Sequence, residues 1–234
     1  MTLEGTNTWV LAAPGARDAV VVDPGPDDAA HRADLLEHLT GLDLRCALVV
    51  TTHHHDDHAG GADAFAAAAG SPPVLRAADA ADGDELDVDG LGLRLLRTPG
   101  HTADSLSLLV PDEGSLLTGD TVLGRGSTAL ADGGDLGEHL ASLRRLLTLD
   151  AGAPLAVLLP GHGPARRDAR AALAAQLAHR LERLEQVRTA VEAGAADVAA
   201  VAVAVHGPLE GALEEAARTS VRAHLAHLGV DLPG

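Results

Sequence analysis

The stretch TTHHHDDHAG, residues 51–60, sets His53, His54, His55 and His58 beside Asp56 and Asp57, directly after the apolar run CALVV. Imidazole and carboxylate are the donors that a borderline ion such as zinc accepts, and a catalytic zinc site keeps one coordination position for water. Three more donors of the same kinds stand at the ends of other apolar runs. His101 follows LRLLRTPG, Asp120 ends SLLTGD, and His162 follows LAVLLPG. The set His53, His55, Asp57, His58, His101, Asp120 and His162 is too large for one tetrahedral ion. It suits two ions that share a bridging carboxylate and a bridging hydroxide. Within the tract, the His-x-His spacing puts His53 and His55 on the same side of an extended segment. Asp57 and His58 then turn toward a second ion as a helix begins near Gly60, which leaves His54 and Asp56 as spacers. The chemistry expected of such a centre is hydrolysis, with Asp57 and Asp120 holding the ions and orienting the nucleophile. Two ions about 3.5–4 Å apart make hydroxide available at neutral pH and stabilise the charge that develops on the attacked oxygen.

The elements that would position these donors are legible as period and punctuation. NTWVLAA, DAVVVDPG, CALVVTTH, LRLLRTPG, SLSLLVPD, GSLLTGD and LAVLLPGHG read as short strands that end in turns. Helical periodicity falls over 28–39, 60–69 and 136–149. Alternating elements of this sort predict a layered α/β domain, with functional side chains on loops at one edge of the sheets. After PGHGPARRD the text becomes helical, over 167–193, 197–205 and 209–228, with HGP as a stop between the last two. The expected division is a catalytic domain over 1–166 and a helical appendage over 167–234.

Composition bounds the function. The chain has 234 residues, 46% of them hydrophobic, with one Trp, one Phe and no Tyr, so Ala, Leu and Val must fill the core. All 17 basic residues are Arg, and the formal net charge of −17 argues against a general basic field that would find nucleic acid or anionic membrane. One cysteine, Cys46, excludes an internal disulfide and reads as a small buried apolar residue in a reducing compartment. The opening MTLEGTNTWVL does not read as a secretory signal, so none is expected, and the longest apolar run, 198–205, is too short to span a bilayer. A cytoplasmic protein with no membrane association is expected. His31, His38, His139, His179, His206, His224 and His227 read as surface or hydrogen-bonded structural residues. Arg125, in the glycine loop GRGST shortly after Asp120, is a candidate phosphate contact, and His54 a candidate groove residue. Arg166, Arg167 and Arg170 read equally as phosphate contacts or as a solvated face.

The set THHHDDH, TPGHTADS, TGD and PGHG resembles the signature of the metallo-β-lactamase superfamily, in which His-x-His-x-Asp-His is followed by His, Asp and His. The resemblance implies an αββα sandwich with the metals at one edge. It implies that His53, His55 and His101 hold a first zinc, that Asp57, His58 and His162 hold a second, and that Asp120 bridges them; Mn or Fe would also suit these donors. More narrowly, MTLEGTNTWVL, DPGP, TPGHTADSLSLLV, TGDTVLGRGST, PGHGP and HRLERLEQV resemble the β-lactamase-like protein 2 group, whose animal member is an endoribonuclease acting on single-stranded RNA. That resemblance implies a winged-helix-like C-terminal appendage. Relatives carry a few more residues ahead of Met1, and a two-stranded wing where this chain ends at GVDLPG, so the appendage is expected without its wing.

Asp120 argues against β-lactam hydrolysis, because true β-lactamases of this superfamily do not use that aspartate as a bridging ligand. Three readings follow: a phosphodiesterase acting on RNA, a glyoxalase II-like thioesterase (hydroxyacylglutathione hydrolase type), and a non-catalytic binding module. The thioesterases hold glutathione through basic and tyrosine side chains, and this chain has neither Lys nor Tyr. Retention of all seven donors speaks against the binding module. The expected partner is single-stranded RNA or a small ester or thioester, and the oligomeric state is left open.

Overall fold

A computed structural model describes residues 5–130, 133–149 and 154–234; the first four residues of MTLEGTNTWVL lie outside the described residues. Two sheets form the centre. The first has the order β1 (Trp9–Leu11), β2 (Asp18–Val22), β3 (Arg45–Val50), β4 (Val74–Leu75), antiparallel at the first pair and parallel thereafter. The second has the order β5 (Glu85–Val88), β6 (Leu91–Arg97), β7 (Leu106–Val110), β8 (Ser115–Gly119), β9 (Val157–Pro160), antiparallel except for the parallel last pair.

The strand period of two assigns each side chain to a layer. Val20 and Val22 of β2 meet Leu93 and Leu95 of β6 and Leu106, Leu108 and Val110 of β7 in the core between the sheets. Ala19 and Val21 point the other way, onto α1 (Ala29–Gly41) and, beyond the short α2 (Asp56–Ala59), α3 (Ala62–Ala68), where Leu35, Leu39 and Phe65 cover them. Leu96, Leu109 and Leu116 likewise face outward, onto α4 (Leu136–Leu147) and the first turns of α5 (Ala169–Glu192). The four layers are therefore α, β, β, α, as expected.

Aspartates set the helix starts. Asp28 accepts from Ala30 N and His31 N, Asp135 from Glu138 N, and Asp197 from Ala200 N, each filling orphan donors of a first turn. The second half of α5 packs with α6 (Val198–His206) and α7 (Ala212–Leu228) through Val187, Val201, Val221 and Leu225. Leu184 of α5 and Leu136 and Leu140 of α4 then join this helical cluster to the sandwich. β4 and β5 were not expected from the sequence. β4 has two residues, and β5 is an edge strand whose exposed Glu85 and Asp87 break any apolar run.

Candidate metal centre

Two groups of donors converge at one edge of the sheets. In the first, His55 Nδ1 lies 3.0 Å from His53 Nε2 and 3.1 Å from His101 Nε2. In the second, His162 Nε2 lies 3.3 Å from His58 Nε2 and 3.4 Å from Asp57 Oδ2. Asp120 stands between them, with Oδ2 3.7 Å from His101 Nε2 and 3.3 Å from His162 Nε2, and Oδ1 3.5 Å from His58 Nε2. All seven sequence-derived positions thus come together, with His53 and His162 109 positions apart in the chain.

Local backbone explains how. β3 stops at Val50, and His55 stands immediately before α2, whose first turn carries Asp57 and His58 round to the second group. Glycines allow the remaining loops to approach. Gly119 has φ +46°, and a Cβ there would sit 2.7 Å from the Thr52 Cβ. A Cβ on Gly161 would lie 2.5 Å from Asp120 Oδ1 and 2.7 Å from His58 Cε1, so the glycine of PGHG makes room for the donors themselves. The N-terminal segment closes over the same edge: Asn7 donates to the Pro160 and Gly163 carbonyls, and Thr6 Oγ1 donates to Asp57 Oδ2 at 3.2 Å.

Outer partners orient the imidazoles. His58 Nδ1 meets Asp23 Oδ2 at 2.8 Å, His101 Nδ1 meets the Ala129 carbonyl at 2.8 Å, and His162 Nδ1 meets the Gly5 carbonyl at 2.8 Å. A carbonyl or carboxylate oxygen accepts only, so each Nδ1 carries a proton and each Nε2 is the nitrogen turned inward, free to offer its lone pair to an ion. For His53 the partner is Thr52 Oγ1 at 3.1 Å, whose own proton goes to Asp23 Oδ2 at 2.7 Å. Asp23 therefore braces both groups, and it also accepts from Thr52 N at 2.7 Å. Sequence reasoning passed over Asp23, Asn7, Thr6, Thr52 and Thr128; DPGP and GTNT were the only marks of the first three.

The electrostatics differ between the halves. Burial, then the neighbouring imidazoles, push His53 far below the usual histidine range, and His55 is lowered for the same reasons. Burial also opposes charge on His162, but the Asp120 carboxylate outweighs it and, with the Gly5 carbonyl and Asp57, lifts this imidazole to about 9. His58 is raised in the same way, Asp23 overcoming burial. Lone pairs that face one another at about 3 Å repel unless a proton or a cation lies between them. Asp120 Oδ1 is moreover buried with no hydrogen-bond partner among the described residues. Nitrogen and carboxylate donors with an orphaned carboxylate oxygen fit a borderline divalent ion.

The other candidates fall outside this cluster. His54 is 61% exposed and its Nδ1 lies 2.8 Å from Asp104. Arg125 is exposed on the loop beside His162, where Gly124 N donates to the His162 carbonyl at 2.9 Å. Arg166 forms a two-bond pair with Asp168, Arg170 donates to the Leu147 carbonyl, and Arg167 is exposed. Cys46 is buried, as expected. Three histidines expected to be exposed or hydrogen-bonded are neither wholly: His206 is half-buried with Nε2 unpartnered among the described residues, and two others are buried. His139 is fully buried with no partner for either ring nitrogen among the described residues, and His224 is buried with Nε2 unpartnered. Both lie on helix faces that packing turns inward.

Comparison with known proteins agrees with this geometry. The family model described as Metallo-beta-lactamase superfamily matches residues 1–83 and 78–162. The lactamase-like protein adaB of Aspergillus niger is 31% identical over 82% of this chain, and the chain spans 60% of that protein's length. The beta-lactamase-like protein 2 homolog of Caenorhabditis elegans is 43% identical over 36% of this chain and 26% of its own. The atrochrysone carboxyl ACP thioesterase of Aspergillus fumigatus is 30% identical over 70% of this chain and 52% of its own. Among solved structures, a metallo-beta-lactamase family protein from Thermus thermophilus superposes with a TM-score of 0.71, covering 98% of this chain and 94% of that one at 24% identity, a likeness of fold. With its fold, its order of candidate donors and a family model matching residues 1–162 in agreement, the chain belongs to the metallo-beta-lactamase superfamily.

Proposed function

We propose that the protein is a metal-dependent hydrolase with a two-zinc centre, in which His53, His55 and His101 hold one ion, Asp57, His58 and His162 the other, and Asp120 faces both. The convergence of these seven side chains, with Asp120 within 3.7 Å of donors from both groups, carries the reading. When bound, paired divalent ions supply hydroxide at neutral pH and stabilise charge on the attacked oxygen. The protein's own part is placement. Asp23 and the loop carbonyls fix which ring nitrogens face inward, and Thr6 holds the Asp57 carboxylate.

A phosphodiester in single-stranded RNA is the first substrate reading, supported by the likeness to the beta-lactamase-like protein 2 homolog and by Arg125, exposed beside His162. Phe65 is buried, and Trp9 packs on the core while donating to the Pro160 carbonyl. Phe65 cannot stack on a base and Trp9 is held against the core, so recognition would run mainly through the sugar-phosphate backbone with little base preference. A thioester is the second reading, supported by the likeness to the ACP thioesterase. In either case residues 1–166 carry the chemistry, 167–234 form the winged-helix-like appendage, and the protein works in the cytoplasm.

The test is turnover by the zinc-loaded protein on a single-stranded RNA oligonucleotide and on S-lactoylglutathione, with Asp120→Asn as control. RNA cleavage that disappears in the control supports the first reading. Thioester hydrolysis with RNA left intact replaces it with the second. Two bound zincs with no turnover on these or on acyl-carrier and simple phosphodiester substrates would sink the hydrolase reading.

A further inference from the structure

Among the described residues, the one strongly buried arginine has no acidic partner. Arg180, in the middle of α5, is 4% exposed, its Nε has no hydrogen-bond partner, and its guanidinium donates to the carbonyl of Thr128. Isolating a guanidinium from water without a carboxylate is unfavourable, and an apolar side chain of similar volume would fill the same space more cheaply. A chain with 34 acidic residues has ample means to pair it.

What Arg180 holds is the loop that orients a metal-site imidazole. Thr128 and Ala129 are consecutive: the Thr128 carbonyl takes the Arg180 bond, the Thr128 hydroxyl lies 3.0 Å from His101 Nδ1, and the Ala129 carbonyl lies 2.8 Å from the same nitrogen. Gln176, one helical turn before Arg180, accepts from Ser127 Oγ at 3.4 Å, so α5 grips the loop at two points spaced i, i+4. On its other side the His101 ring directs Nε2 at His55 and Asp120.

We propose that Arg180 is a positioning residue: by fixing the Thr128–Ala129 peptide it sets the tautomer and orientation of His101, and so couples the C-terminal helices to the first ion's site. The proposal rests on the reading of His101 as a metal ligand, and the experiment separates the two. The full-length protein is stripped of metal and titrated with Co(II) against a chromophoric chelator, with the visible spectrum and the metal-free Tm recorded. Parent and His101→Ala come first; a His101→Ala protein that binds both ions as tightly as the parent would remove the ligand reading, whatever Arg180 does.

Arg180→Met is expected to keep or raise the metal-free Tm, to lose roughly 10–100-fold in affinity for one of the two ions, the range for an outer partner of a ligating histidine, and to shift the Co(II) spectrum. Arg180→Lys, which keeps the charge but not the planar fork, should recover part of that loss. Should Arg180→Met not fold, Arg180→Lys alone decides, by the same selective weakening of one ion. The proposal is overturned if folded variants bind both ions within about twofold of the parent, if affinity and metal-free Tm fall together, or if neither variant folds.

Discussion

Asp23 stands 1% exposed with a left-handed backbone (φ 52°), and it accepts hydrogen bonds that lead to both halves of the donor cluster, through Thr52 to His53 and directly to His58. Asp23→Asn keeps the shape but puts an amide where an accepting oxygen is needed. It should weaken metal binding by roughly 10–100-fold, read by chelator competition, with Asp120→Asn losing at least as much. His54→Ala should leave metal content unchanged, because that ring faces Asp104 and solvent; loss of an ion in this variant would overturn the ligand assignment. Because His162 is lifted to about 9, metal entry at neutral pH must displace its proton. Calorimetric titration in buffers of different ionisation enthalpy should therefore register proton release, and a buffer-independent heat would contradict the protonated state.

At the scale of elements, six of the seven α-helices and seven of the nine strands among the described residues follow their sequence periods to within a few residues, because apolar periodicity is a local property of each segment; the four-residue α2 is too short to show one. The two strands without a signal lack one for local reasons, the brevity of Val74–Leu75 and the charges of Glu85–Val88. Turns matter most where elements meet the site. Gly100, in TPGH, has φ +135°, and a Cβ there would fall 2.3 Å from His139 Cα at the start of α4. Gly100→Ala should destabilise the fold by about 2–3 kcal/mol or more, the range for overpacking plus a disallowed backbone angle, seen as a lower urea midpoint. An unchanged midpoint would mean that α4 does not press on this loop.

For the molecule as a whole, two buried imidazoles outside the donor cluster add to the loss of stability in acid, in the same sense as His53 and His55. Burial holds His139 neutral, lowered to about 3, and His224 neutral, lowered to about 4, with nearby Arg180 adding to both. The unfolded chain takes these protons near pH 6.5, so the stability they contribute is present above that pH and is lost as pH falls toward 3–4. Each group costs about 1.4 kcal/mol per pH unit in that window. His139→Leu, which removes one of them without removing any hydrogen bond among the described residues, should flatten the fall between pH 7 and 5 by roughly 2 kcal/mol. Urea unfolding at the two pH values checks this; parallel curves for variant and parent would contradict it. Among the described residues no helix is long and apolar enough to cross a membrane.

The seven candidate donors, their order and the strand ends that carry them were legible along the chain, because a candidate ligand set is a matter of residue type and of spacing along short, strongly patterned segments. Which ring nitrogens face inward was not, and follows from the fold. Those choices belong to Asp23, Gly5, Thr128 and Ala129, which lie 27 to 157 residues away in sequence from the rings they hold, and which reach them only through the packing of two sheets and their edge loops. The same packing buried His139, His224 and Arg180, whose one-dimensional surroundings read as ordinary helix surface. A helical period shows that a face exists; what that face meets is settled when α4, α5 and α7 close on one another.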